Sequence, residues 1–591
     1  MKTLKVTLSI LIGFLYLGTP IFGQNMDKAS TKSIDLMWGV KIPLRDGIKL
    51  NATVYKPKGA GPLPVIFTLT PYIADSYHNR AYYFSQNGYV FVLVDARGRG
   101  NSEGTFTPLL QEANDGYDVV EWLSKQSYCN EKVAMWGGSY AGYDQWATAK
   151  EFPSNLKTIV PVASPMALVD FPSWKNIPNP YLMQWLTYVS GVTPNSNLFG
   201  ESSFWIKKFS EIYINHLPFK DLDKIIGNPS SIFQTWNSHP SQSDYWDTYN
   251  PTNEQFSRIN IPILSITGIY DGDQPGAMGN YKKHMMFASK EAKDQHYLII
   301  GPWDHAGTRT PNKEVGGLTF GDASQLEMNK LHKDWYDWVF KSANKPDFLQ
   351  NRIAYYVTGK EVWKYAESLE SISTEQRILY LDSDPTIVND VFHSGYLSET
   401  KPMKSPSDKF VYDPLDVRPI ELDTVEVDNY LTDQRYAQNL FGNGLVYHTE
   451  PFKENTDISG YLKLNLWISM DVPDTDFEVN LYEIKTDGSS VFLTNDLLRA
   501  RYRESLGKQK LIEPGAILKY DFNGFFWFSR QIAKDSRLRL VIKCSNTIYY
   551  QKNYNSGKNV MEETGKDART AHITVYHNSK YPSMLELPLV R

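Results

Sequence analysis

A chain of 591 residues with a net charge of −5 is too long for a single hydrophobic core and carries no basic footprint for nucleic acid. Hydrophobic residues at 41% and charged residues at 21% exclude a disordered or fibrous chain. Cys129 and Cys544 are the only cysteines and fall in different predicted domains, which excludes a cysteine metal site and leaves two buried free thiols as the expectation.

Residues 1–23 have the form of a cleaved targeting segment. Lys2 and Lys5 give a positive start, Val6 to Leu17 is apolar, and Thr19-Pro-Ile-Phe-Gly23 places a small residue before a cut at about Gln24. The apolar run is short for a membrane span, no cysteine near the cut can take a lipid, and no later stretch is apolar enough to span. An exported protein, periplasmic or secreted and with no membrane partner, is the expectation.

Val40 to Val54 alternates apolar and polar residues around Asp46-Gly47, a hairpin signal. Val65 to Thr70 and Tyr89 to Asp95 are apolar runs of buried-strand length, with a predicted helix over Arg80 to Gln86 between them. A glycine-rich charged loop, Ala96 to Gly104, follows. Asp115 to Lys125 has helical spacing through Val119, Val120, Trp122 and Leu123. Val133 to Trp136 is the next strand, then a glycine turn, then a helix from Tyr143 to Lys150. Thr158 to Ala163 is a further strand. Strands alternating with helices at this spacing make a parallel sheet with covered faces.

The rhythm stops at residue 165. Residues 165–255 are aromatic and irregular, with Trp174, Trp185, Trp205, Trp236 and Trp246, and suit a helical cap over the sheet edge. Strands return at Ile261 to Gly268 and His296 to Gly301, and a helix from Gln325 to Lys341 closes the unit. From Arg352 the period changes to two, and Ile353 to Val357, Arg377 to Leu381, Tyr461 to Ile468, Phe477 to Ile484 and Leu538 to Ile542 are predicted strands. The expected class is therefore α/β: an α/β-hydrolase domain in two parts, 24–164 and 256–345, a cap at 165–255, and an all-β jelly-roll domain at 350–591.

Three candidate catalytic groups stand at predicted strand ends. Ser139 lies in Gly137-Gly-Ser-Tyr-Ala-Gly142, between a strand and a helix, the setting of a nucleophile elbow. The fit to G-x-S-x-G is imperfect, because Ala141 holds the second glycine's place and Gly142 comes one later. A glycine-rich turn with an ordinary serine would satisfy the same residues. Asp271 and His305 follow later strands, and Ser-Asp-His is the chain order of α/β-hydrolase triads. Asp273 and Asp304 compete with Asp271, which is nearest to a strand end. A serine hydroxyl needs a neutral imidazole to take its proton and a carboxylate to set the imidazole's tautomer. That imidazole should titrate near pH 6–7. Attack makes an oxyanion. The backbone N–H of Tyr140 is one candidate donor, and the Tyr72 hydroxyl is another, unless Tyr72 only packs.

Together these segments resemble the hydrolases that include cocaine esterase, the α-amino-acid ester hydrolases and the X-Pro dipeptidyl-peptidases. The match is carried by Arg45-Asp-Gly47, Thr70-Pro-Tyr72, Asp95 to Gly104, Asp115-Gly-Tyr-Asp118, the Ser139 motif, Tyr270-Asp-Gly272 and Gly301-Pro-Trp-Asp-His305. Pro473-Asp-Thr-Asp-Phe477 and Leu498-Arg-Ala-Arg-Tyr-Arg503 extend it into the β half. The family's serine motif is G-x-S-Y-x-G, so Ala141 conforms. The resemblance implies Ser139, Asp271 and His305 as triad, Tyr72 with Tyr140 as oxyanion hole, a helical cap, a jelly roll and no cofactor or metal. In the α-amino-acid ester hydrolases a carboxylate cluster holds the substrate ammonium. Asp273 matches one member, Gln274 replaces the next, and Trp174 falls near the third. X-Pro peptidases carry a long N-terminal domain with no counterpart in this sequence.

The expected function is hydrolysis of a small carboxylic ester, amide or β-lactam through an acyl-enzyme. An amino-ester hydrolase or X-Pro-type peptidase that reads a substrate ammonium is the alternative within enzymes, and a glycan-binding protein on an inactive scaffold is the alternative from another class. A homo-oligomer is left open.

Overall fold

The computed structural model describes residues 33–384, 387–404 and 406–590; the proposed targeting segment at 1–23 lies outside the described residues. β1 (Ile34–Pro43) and β2 (Lys49–Pro57) pair antiparallel across the Asp46-Gly47 turn, where Gly47 takes φ +90°, a value that favours glycine. The buried runs become β3 (Leu63–Thr70), β4 (Val90–Asp95), β5 (Cys129–Gly138), β6 (Leu156–Val162), β7 (Ile263–Tyr270) and β8 (His296–Asp304). Helices α1 (His78–Gln86), α2 (Glu112–Ser124) and α3 (Tyr140–Ala149) intervene among the early strands, and the cap contributes α4 (Tyr181–Tyr188) and α5 (Ser202–Ile214). After the cap come α6 (Gln274–Phe287) and α7 (Met328–Lys341).

Two further strands join this sheet, β9 (Ile353–Val357) and β10 (Val362–Ala366), giving the order β1-β2-β4-β3-β5-β6-β7-β8-β9-β10. β9 runs parallel to β8, with Leu298 opposite Ile353. The predicted strand at Ile353 to Val357 therefore extends the first sheet. A fully buried parallel strand and a sandwich strand present the same short apolar run, and only the pairing separates them.

The cap packs on α3. Tyr140 and Tyr143 share a buried cluster with Trp185, Trp205, Trp236 and Trp246. Trp174 leaves that cluster and packs edge-on against Phe526 of the β domain at 5.0 Å. Among the described residues, the β domain joins thirteen strands in one hydrogen-bonded sheet. Among them are β11 (Asp476–Ile484), β12 (Ser490–Arg499) and β13 (Arg537–Cys544). Its core continues into the flank of the first sheet, where Ile269, Leu298 and Tyr355 pack with Leu464 and Phe477.

The Asp-x-Asp and Arg-x-Arg motifs form a buried ionic network. Arg499 grips Asp476 through two bonds of 2.8 Å, and Arg501 bonds Asp474 at 2.8 Å. Arg499 also donates to the Asn176 carbonyl at 3.3 Å, and Lys175 pairs with the buried Asp496 at 2.9 Å, so the network ties the cap to the β domain. Removing one partner of a buried pair costs about 3–5 kcal/mol. Cys129 and Cys544 are buried and free. No helix among the described residues is long and apolar enough to cross a membrane.

Behind the sheet, His284 and His296 face each other with Nδ1 atoms 3.0 Å apart; His296 meets the Ser265 hydroxyl and His284 the Ile259 carbonyl. Burial pushes His284 down to about 4 and His296 well below its ordinary value. Both are neutral when folded but titrate near 6.5 when unfolded. Their contribution is full above pH 6.5 and is lost as pH falls towards 4, by up to about 1.4 kcal/mol per pH unit per histidine. Urea midpoints measured from pH 8 to 4.5 should fall on the acid side, and His284→Gln should flatten that fall. An equally steep fall in the variant would remove this pair from the acid response.

Candidate active site

β5 ends in a glycine pair and delivers Ser139 with φ 60° and ψ −129°, a strained backbone for a residue with a side chain. The surrounding positions show why it must be so crowded. A Cβ on Gly137 would come 2.6 Å from the Ala141 Cβ, and one on Gly142 would come 2.9 Å from the Val162 carbonyl of β6. Gly142, not residue 141, is pressed against the neighbouring strand, which explains the displaced second glycine. The Ser139 N–H donates to the Val162 carbonyl at 2.9 Å, and its carbonyl accepts from the N–H groups of Gly142 and Tyr143. The helix thus begins at Tyr140, directly after the serine, rather than at Tyr143.

β7 and β8 approach so closely that a Cβ on Gly268 would lie 2.1 Å from the Trp303 carbonyl. Their carboxyl ends bring Asp271 and His305 together. His305 Nδ1 lies 2.8 Å from Asp271 Oδ1. A carboxylate can only accept, so Nδ1 carries the proton and Nε2 is the basic nitrogen. The Thr267 hydroxyl and the Asp273 N–H donate to Asp271 and hold it in place. Burial alone would lower the imidazole's pKa. The Asp271 and Asp273 carboxylates, the latter 3.7 Å from Nδ1, overcome this and hold His305 above its ordinary value.

Ser139, His305, Tyr72, Tyr140 and Asp273 line one cavity of about 120 Å³, with Asp271 behind the histidine. The Tyr72 hydroxyl bonds to Ser139 and accepts from the Trp185 indole N–H at 3.0 Å. Burial raises its pKa far above the ordinary value, so it stays a proton donor. Arg99 of the glycine-rich loop holds this corner through the carbonyls of Pro71, at 2.8 Å, and Val189 of the cap, at 2.9 Å. The Tyr140 phenol donates to Glu112 and accepts from the Leu109 N–H, and burial pushes Glu112 up to about 7. Trp185 stacks on the Tyr140 ring at 5.4 Å, so one cap residue braces both candidate oxyanion donors.

Sequence reasoning passed over three of these groups. Trp185 and Glu112 gave no local signal, because their role comes from packing across elements distant in sequence. Asp170 is the third. It lines the same cavity, accepts from the N–H groups of Met166 and Gly276 at 2.9 and 2.5 Å, and burial raises its carboxyl well above the usual range. Burial does the same to Asp273. Gln274, beside Asp273, is not part of this lining. Its amide donates to the carbonyls of Gly268, Ile269 and Trp527 and accepts from the Trp527 N–H at 2.7 Å, which clamps the loop to the β domain.

Comparison with known proteins gives the family. Residues 46–307 match the family model described as X-Pro dipeptidyl-peptidase (S15 family), and residues 350–586 match that of the X-Pro dipeptidyl-peptidase C-terminal non-catalytic domain. The chain belongs to this family of serine hydrolases. It is 25% identical over 578 residues to the cocaine esterase of Rhodococcus sp. (strain MB1 Bresler), covering 93% of this chain and 98% of that one. Among solved structures, an α-amino acid ester hydrolase shares the fold with a TM-score of 0.81 at 22% identity, over 98% of this chain and 100% of that one. An aminopeptidase from a marine sediment Thaumarchaeota archaeon does so with a TM-score of 0.80 at 22% identity, over 97% and 99%. The S15-family fold is thus an α/β-hydrolase domain followed by an all-β domain.

Two outcomes test this geometry. Tyr72→Phe should lower kcat by roughly 10², the effect of removing one oxyanion donor, and an unchanged kcat would remove Tyr72 from the site. A base must be neutral to work, so kcat/KM should rise with pH through a limb above the ordinary imidazole value of about 6.5. Asp273→Asn removes one of the charges that raise His305 and should bring that limb down; a limb that stays put would mean Asp273 does not act on His305.

Proposed function

We propose that this serine hydrolase cleaves small carboxylic esters through an acyl-enzyme on Ser139. The observation that carries the reading is the His305–Asp271 hydrogen bond in a cavity that also presents Ser139, the Tyr72 hydroxyl and the residue whose N–H follows the nucleophile. Ser139 Oγ attacks the carbonyl carbon as His305 Nε2 takes its proton. The oxyanion accepts hydrogen bonds from the Tyr72 hydroxyl and the Tyr140 N–H. The imidazolium then gives its proton to the leaving alkoxide as the C–O bond breaks. Water, deprotonated by the same imidazole, attacks the acyl carbon and releases the acid and Ser139. The positive start and apolar run of residues 1–23 support export to the periplasm or beyond.

One observation favours a narrower substrate. Asp170 and Asp273 both face the cavity, and both are destabilised as anions by burial. An ammonium on the acyl α-carbon would compensate that cost. The fold shared with an α-amino acid ester hydrolase is consistent with this reading.

A paired panel separates the two. Turnover of p-nitrophenyl butyrate and phenylacetate is compared with that of phenylglycine methyl ester and ampicillin-type substrates, with Ser139→Ala as control. Plain esters alone place the enzyme among carboxylesterases. A strong preference for α-amino substrates, lost in Asp273→Asn, makes the two carboxylates an ammonium site. Fluorophosphonate labelling that survives in Ser139→Ala would overturn both.

A further inference from the structure

A second cavity, of about 360 Å³ against about 120 Å³ for the catalytic pocket, lies where the end of β7 meets the β domain. Gly272, Phe526 and Tyr550 line both, so the two spaces adjoin at the residue after Asp271. A Cβ built on Gly272 would meet no atom within 4 Å, so this point is open. The acylation scheme makes no use of the larger space.

Its floor is the face of β11 that carries Glu478, Asn480 and Tyr482, with Asn495 of β12 opposite Asn480. Tyr482 and Asn495 are each only 4% exposed, yet neither side chain has a hydrogen-bond partner among the described residues. Buried polar groups are almost always paired, and these two line the cavity instead. The lining carries seven carboxylates against two bases. Lys543 pairs with Glu478 at 3.2 Å and Arg435 with Asp433 at 2.7 Å, while Thr547, Ile548 and Tyr436 all donate to Asp423. Asp304 and Glu314, on the catalytic side, have no cationic partner among the described residues. The rings of Tyr430, Tyr436, Phe492 and Phe526 complete the walls.

This chemistry discriminates among ligands. An anion meets a field of its own sign. A purely apolar group strands Tyr482 and Asn495. An organic cation gains from Asp304 and Glu314, which face no cation, and from the aromatic faces together. The location also selects one half of the substrate. The leaving oxygen must reach His305 to take its proton, and the loop that orients His305 is the loop that opens into this cavity.

We propose that the interdomain cavity is a leaving-group site for an organic cation, an ammonium or guanidinium carried by the alcohol or amine part of the substrate. Its assignment to the leaving group rests on the ester-hydrolysis reading above; its preference for cations does not.

Ser139→Ala protein, which cannot turn over, is titrated by calorimetry with trimethylammonioalkyl butyrates of two- and six-carbon spacers. Each is compared with its neutral tert-butyl isostere. The six-carbon cation should bind about tenfold more tightly than its isostere. Asn495→Trp, which fills the floor, and Glu314→Gln, which removes a charge without filling space, should each reduce that preference. Added on the Ser139 background, both should leave p-nitrophenyl acetate turnover within about twofold, which also reports that they fold. Equal binding of cation and isostere overturns the proposal whatever the enzyme hydrolyses. Cation binding with no turnover of any ester keeps the site and overturns the hydrolysis reading.

Discussion

Everything at the candidate active site depends on one strained residue. Ser139 holds φ 60° between β5 and α3, a conformation that costs about 1–3 kcal/mol and persists only where the surroundings over-determine it. Here they do. Its N–H is bonded to β6, its carbonyl starts α3, and the flanking glycines leave no room for any other path. The strain lifts the hydroxyl off the sheet edge towards the pocket. It also puts the Tyr140 N–H at the first, unpaired position of a helix, where donors are free to meet an oxyanion.

The same constraint explains why the molecule needs three layers. A sheet edge alone would leave Ser139 in water. The cap supplies Trp185, which donates to Tyr72 and stacks on Tyr140, so the proposed oxyanion donors are held from above. The β domain in turn holds the cap through Lys175–Asp496 and Arg499, and holds the Asp271 loop through the Gln274–Trp527 clamp. A glutamine at 274 offers both a donor and an acceptor to the backbone of one residue, Trp527, which a carboxylate could not do. The position that weakens an ammonium cluster therefore strengthens the joint between domains.

Charge in the site follows from burial. Asp271 is held by an imidazole, a hydroxyl and an N–H, all of which bond to it. Burial raises both Asp170 and Asp273, and at Asp273 the charge of the facing His305 works against that rise. The proposed ammonium reading rests on this burial, and the lining of the larger cavity likewise carries more carboxylates than bases.

The local elements were legible in the chain. The strand-turn-helix around Ser139, the Asp-Gly hairpin and the strand ends at Asp271 and His305 all arise from near-neighbour sterics and from apolar runs, which a single sequence records. The resemblance implied an oxyanion role for Tyr72, which the residues alone left open; the Tyr140 N–H was a candidate already from its place after the serine. What only the tertiary structure decided depends on contacts between distant segments. The strand at Ile353–Val357 belongs to the first sheet because it pairs with β8, and nothing in its own five residues says so. Glu112, Trp185 and Asp170 enter the site because helices and a cap fold over it. The interdomain cavity exists only between two separately coded surfaces. Sequence determined the elements and the chemistry at their ends; long-range packing decided which of those ends share a space.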